Sequence, residues 1–156
     1  MKSHYLLVAA ITILLACAIP RLSSAQAMGT TGAICNAANA SDQPFIRTRP
    51  YGVTNTSNVD KYVSCAFPNN TSSTAEQFFY ASFQAGAVAG EAQCVAMVGS
   101  NYNGISQYSK PAVTMAAGAT SEIAFEDFAA VNSYTPASLS CRLSPGVELG
   151  LIWLQP

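Results

Sequence analysis

Past residue 27 the chain is a succession of short apolar–polar alternations broken by Gly, Pro, Asn and Ser. The cleanest covers 147–154, where Val147, Leu149, Leu151 and Trp153 share one face at a period of two. Further runs with strand character cover 45–49, 51–54, 59–67, 77–84, 92–98, 112–116, 121–125 and 138–143. The first stops at Pro50, which suits an edge strand. The 77–84 run carries Phe78, Phe79, Tyr80 and Phe83, so both faces have aromatic mass and a central place is expected. Ser144-Pro145-Gly146 reads as the turn of a hairpin joining the last two runs. Residues 99–111 read as one long loop. Residues 122–131 fit either period, so one helical turn is compatible there. The pattern predicts an all-β fold, a single antiparallel β-sandwich of jelly-roll or Ig-like type with about eight strands.

The first 27 residues follow another logic. Lys2 precedes an apolar run from Leu6 to Ile19, Pro20 ends it, and Ala25-Gln26-Ala27 gives a small-x-small site. This is the layout of a secretory signal peptide, with cleavage expected after Ala27 and a secreted domain over 28–156. The run is too short to span a bilayer. Leu14-Leu15-Ala16-Cys17 offers an alternative, a lipoprotein-type box that would anchor the chain at Cys17. Either route takes the domain to the periplasm or outside the cell.

Removal of the leader changes the chemistry. His4 is the single histidine, so the remaining domain has no imidazole for Ser-His-Asp or Cys-His catalysis or for a His-ligated metal. Five basic residues then face eight acidic ones, a net charge of about −3. Scattered cations make no basic patch, so no nucleic-acid partner is expected. No cofactor is expected either.

Cys35, Cys65, Cys94 and Cys141 remain, separated by 30, 29 and 47 residues. A zinc site needs closely spaced pairs, because one short loop must present two thiolates to one ion. An even number of distant cysteines in an exported chain reads instead as two disulfides, with no metal. Cys65 shares its strand face with Val63 and Phe67, and Cys141 with Leu139 and Leu143, so these sulfurs face a core. Without a neighbouring cation a buried sulfur is a poor nucleophile. Four cysteines allow three connectivities, and spacing does not choose between them. The pairing expected is Cys35–Cys65, pinning the N-terminal segment, and Cys94–Cys141, stapling two core strands.

An N-terminal cysteine, then Tyr51-Gly52-Val53-Thr54-Asn55, Val63-Ser64-Cys65-Ala66-Phe67-Pro68, a mid-chain cysteine strand and Leu139-Ser140-Cys141-Arg142-Leu143 follow in order. This series resembles a group of uncharacterised bacterial exported four-cysteine β-sandwich proteins. Ala66-Phe67 between Cys65 and Pro68, and Ser144 before Pro145, depart from the group's pattern. The resemblance implies export and a fold, and assigns no activity to any residue.

Two clusters are candidates for chemistry. Glu122, Glu126 and Asp127 form the densest acid group. On a strand, Glu122 and Glu126 would lie about 13 Å apart, too far for either glycosidase geometry. A solvated face is the better reading, and no catalytic residue is assigned. Asn101, Tyr102, Asn103 and Tyr108 mix rings with amides, as a sugar-binding loop requires, and are the candidate ligand-binding residues. Trp153, in phase with Leu149 and Leu151, is expected in the core. Asn39, Asn55, Asn69 and Asn70 each begin N-x-[ST], and would be surface glycan acceptors in a eukaryotic source. Arg47 and Arg49 are expected as solvated charges guarding an edge strand.

The sequence therefore points to an exported, non-catalytic, disulfide-stabilised β-sandwich that binds a glycan or an envelope or extracellular partner. A structural or assembly role and a carboxylate-dependent glycan-active enzyme are the alternatives.

Overall fold

The computed structural model describes residues 28–67, 77–100, 104–128 and 137–155. The expected leader, its cleavage point at Ala27 and the alternative Cys17 anchor lie outside the described residues, as do Asn69 and Asn70. The described chain forms twelve strands rather than about eight. They are β1 Met28–Thr31, β2 Asn36–Ala37, β3 Ile46–Arg49, β4 Gly52–Asn55, β5 Lys61–Phe67 and β6 Gln77–Gln84. The second half gives β7 Gly90–Ser100, β8 Gly104–Ser109, β9 Val113–Met115, β10 Thr120–Phe128, β11 Ala137–Leu143 and β12 Glu148–Gln155. Two 3₁₀ turns, Gly32–Ile34 and Ala40–Phe45, complete the set.

The strands make two antiparallel sheets. The first runs β10-β6-β12-β4-β3, with β1 sharing one side of β12 with β4. The second runs β2-β5-β11-β7-β8, with β9 also on β7. From β4 to β7 the chain changes sheet at each step, and β10, β11 and β12 do the same. This is a jelly-roll path. The 77–84 run is central, between β10 and β12, and β3 is an edge.

Alternation decides the interior. On β11 every second residue, Ala137, Leu139, Cys141 and Leu143, is buried. The buried aromatic rings lie on one inner face. The first sheet contributes the bulky Phe79, Phe83, Phe125, Leu149 and Ile152, with Phe79 and Phe125 tilted at 5.7 Å between centroids. The second contributes the aliphatic Val63, Val98, Leu139 and Leu143 together with small side chains and sulfur: Ala92, Ala96, Cys65, Cys94 and Cys141. Aromatic rings on one face against aliphatic and small side chains on the other let the two layers pack closely.

Both disulfides belong to the second sheet. Cys94 and Cys141 are direct cross-strand partners on β7 and β11 and are bonded to each other. Cys35, just before β2, bonds Cys65 on β5. All four sulfur-bearing residues are buried. The bridges therefore join neighbouring strands, and hydrophobic packing holds the sheets together.

Two sequence expectations are overturned and one ambiguity is resolved. Ser144-Pro145-Gly146 joins strands in opposite sheets, so it is an arch between layers and not a hairpin turn. The 122–131 ambiguity resolves as strand through Phe128, because β6 supplies a continuous backbone partner from Thr120 to Phe125. The 99–111 segment is not one loop. Gly104–Ser109 pairs with Val95–Ser100 as an antiparallel hairpin, an edge strand formed where polar composition suggested a coil.

Candidate functional site

Of the sequence-derived ligand residues, Tyr108 alone lies among the described residues. Asn101, Tyr102 and Asn103 lie outside the described residues. Tyr108 sits on β8, partly buried and packed against the core cluster. Glu122 and Glu126 are both exposed on β10. Among the described residues no group of three or more His, Cys, Asp or Glu could hold a metal ion.

The outer face of the first sheet is richer. Strand pairing there places side chains in rows. Thr120, Gln84, Glu148 and Thr54 form one row across β10, β6, β12 and β4. The next is Glu122, Ser82 and the Gly150-Leu151 pair, and the third is Ala124, Tyr80, Trp153 and Gly29. A groove of about 500 Å³ lies over the first two rows. Gln84, Ser82, Thr120, Glu122 and Glu148 line it, and Tyr51 and Leu151 stand at its side. From β10 across β6 to β12 it crosses two strand spacings, about 10 Å, and ends against Tyr51 and Thr31.

The apolar groups on this face are unusually open. Tyr51 is 56% exposed and Leu151 45%. Tyr80 and Trp153 stack cross-strand, with centroids 5.0 Å apart and planes within 15°. Trp153 is thus half-buried on the outer face and not in the core, contrary to the alternation of β12. The cause is a bulge. Leu149 faces Phe83 and Ile152 faces Ala81, so Gly150 and Leu151 together oppose Ser82. The extra residue reverses the phase, burying Ile152 and turning Leu151 and Trp153 outward. One signal for this was present in the sequence, since an isolated glycine within a strand pattern marks bulges.

Fixed charges frame the groove unevenly. Thr54 donates its hydroxyl to Glu148 at 2.8 Å, and Arg49 Nη1 lies 3.7 Å from the same carboxylate. Arg49 also donates to the Tyr51 hydroxyl at 3.4 Å, and this contact, ahead of Glu148, holds the guanidinium above its ordinary value. Arg49 is therefore no idle edge charge: it fixes Tyr51 and neutralises Glu148, whereas Arg47 stays exposed as expected. Among the described residues no cation lines the groove beside Glu122.

Asn55, a glycan acceptor only if the source were eukaryotic, is buried, with 0% exposure. Its amide donates to the carbonyls of Val59 and Leu143, and its side-chain oxygen accepts from Ser57. A side chain so engaged has no atom left for glycosylation. Asn39 is exposed.

No family model and no curated protein matches the chain. Among solved structures it is similar to the carbohydrate-binding and catalytic modules of Clostridium thermocellum endo-1,4-β-D-xylanase 10B, complexed with xylohexaose. The TM-score is 0.46 at 14% identity, covering 67% of this chain and 21% of that one. It is similar to a carbohydrate-binding module of the β-sandwich superfamily, with TM-score 0.42, 12% identity and coverage of 83% and 54%. It is also similar to the C-terminal carbohydrate-binding module of a marine laminarinase from Zobellia galactanivorans, with TM-score 0.42, 13% identity and coverage of 84% and 100%. The chain thus spans about a fifth of the first and about half of the second.

Proposed function

We propose that this is an exported, non-catalytic domain that binds a glycan across the outer face of the first sheet. The groove carries the reading. It offers hydroxyl, amide and carboxylate groups from three strands beside an exposed tyrosine ring, with the Tyr80–Trp153 stack one row away. Sugars present the complementary surface, an apolar ring face and a fringe of hydroxyls. Rigid strands position these groups better than a loop would. Glu148 is committed to Thr54 and Arg49, which suits a binding contact better than an acid in hydrolysis. Two disulfides fit an oxidising compartment, and no helix among the described residues is long and apolar enough to cross a membrane.

A glycan array tests the reading with the wild type, Tyr51→Ala, Gln84→Ala, Trp153→Ala and, for the β7–β8 hairpin, Tyr102→Ala and Tyr108→Ala. Loss of signal in the first three variants supports the groove. Loss confined to the hairpin variants moves the site there, and an array blank for the wild type removes the glycan reading.

A second reading, assembly through a sheet edge, rests on β8. It carries no charged residue, it ends the second sheet, and Ile105 on it is 53% exposed. Concentration-dependent oligomers in light scattering, abolished by Ile105→Lys, would favour it.

A further inference from the structure

β12 has two ways to lie on its neighbours. Its sequence alternates so that Val147, Leu149, Leu151 and Trp153 could all face the core. The structure takes the other register beyond Leu149, with Ile152 at 1% exposure and Leu151 at 45%. Both registers bury apolar side chains, so hydrophobic burial alone discriminates weakly between them. Something local must choose.

The bulge leaves Leu151 without a backbone partner on β6, and the Ser82 side chain takes that partner's place. Ser82 Oγ accepts from the Leu151 N–H at 2.9 Å and donates to the Leu151 carbonyl at 3.3 Å. One hydroxyl thus satisfies both backbone groups of the extra residue, which an alanine could not do. Room for the outcome exists on the other flank. Gly29 on β1 faces Trp153, and a Cβ there would stand 4.0 Å from that of the indole.

We infer that Ser82 is a positioning residue that locks the β12 bulge, and through it decides that Trp153 and Leu151 are presented on the outer face instead of being buried. This rests on the glycan-binding reading for its use, and on the register alone for its truth. Without the lock, β12 slips by one residue to the in-phase register, Trp153 enters the interior, and the Tyr80–Trp153 stack is lost. Deleting Gly150 leaves Leu151 alone opposite Ser82. Ile152 then stays inward and Trp153 outward with no bulge to hold, so Ser82 becomes dispensable.

Trp153 is the single tryptophan of the chain, so its fluorescence reads the register directly, with no glycan needed. In folded Ser82→Ala, the expected result is a blue-shifted emission and a several-fold smaller acrylamide quenching constant. Ser82→Thr, which keeps the hydroxyl, should retain the wild-type values. Deletion of Gly150 should give wild-type quenching both alone and combined with Ser82→Ala. Should Ser82→Ala fail to fold, recovery of folding by the Gly150 deletion supports the lock, and failure of the double variant to recover overturns it. Unchanged quenching in folded Ser82→Ala also overturns it. A wild type that binds no glycan while these shifts occur removes the binding reading and leaves the lock standing. A wild type that binds glycan without them does the reverse.

Discussion

The side-chain amide of Asn55 donates to the Leu143 carbonyl at 2.8 Å, tying β4 in one sheet to the end of β11 in the other. The same amide reaches Val59 at 2.8 Å, and the Asn55 backbone exchanges bonds with Val147 and Gly146. One buried polar residue therefore closes the end of the sandwich where three chain segments meet. Asn55→Ala would strand the Leu143 carbonyl and the Ser57 donors, and should destabilise the domain by about 3 kcal/mol in urea unfolding. A cost below about 1 kcal/mol would show that water replaces these bonds.

Gly52 packs against β12 so closely that an added Cβ would sit 2.5 Å from the Leu149 carbonyl oxygen and 3.2 Å from the Glu148 side chain. Backbone cannot yield there as a flexible side-chain tip could. Gly52→Ala should cost about 2 kcal/mol and weaken glycan binding by displacing Glu148. Calorimetry of the folded variant, with and without glycan, separates the two effects.

Lys61 Nζ lies 2.6 Å from Asp42 Oδ1 and 4.9 Å from the centre of the Phe45 ring. The hydrogen bond from Lys61 holds the Asp42 carboxyl below its ordinary value, with Asn39 adding to it against the cost of burial. A depressed folded pKa stabilises above the unfolded value and is lost as pH falls through the folded one. The melting temperature should therefore fall on acidification from about pH 4 downward, and less steeply in Asp42→Asn. Identical slopes for the two proteins would rule this coupling out.

The groove's uncompensated charge is Glu122, since Glu148 is matched by Arg49. Neutral or amine-bearing glycans should bind and uronate-rich ones should be rejected by like charge. Glu122→Lys should admit oligouronates while retaining neutral chains, measured by affinity electrophoresis. Wild-type binding of oligouronates as tight as that of neutral chains would defeat the charge argument.

Each disulfide closes a loop of 30 or 47 residues in the unfolded chain, worth about 3.5–4 kcal/mol in the chain-entropy model. The double variant Cys94→Ala/Cys141→Ala should lose the most stability, since its loop is longer and its bridge joins two interior strands of the sheet. Peptide mapping without reduction should recover Cys35–Cys65 and Cys94–Cys141 peptides. Any Cys35–Cys94 peptide contradicts the pairing.

The period-two pattern by itself determined that this chain is a β-sandwich, because burying one face of each strand leaves few other arrangements. It also determined the inward placement of Cys65 and Cys141, and the central place of β6. It could not determine which strands share a sheet. Ser144-Pro145-Gly146 supports a hairpin and an arch equally well, and pairing across layers is a long-range choice. Nor could alternation show the phase of β12 past Leu149, where a bulge against β6 reverses it. The groove's residues come from separated segments, and Tyr51, Gln84 and Glu148 carry no motif that links them. Tertiary structure decided the groove, because neighbouring strands bring such residues together only after the sheet has formed.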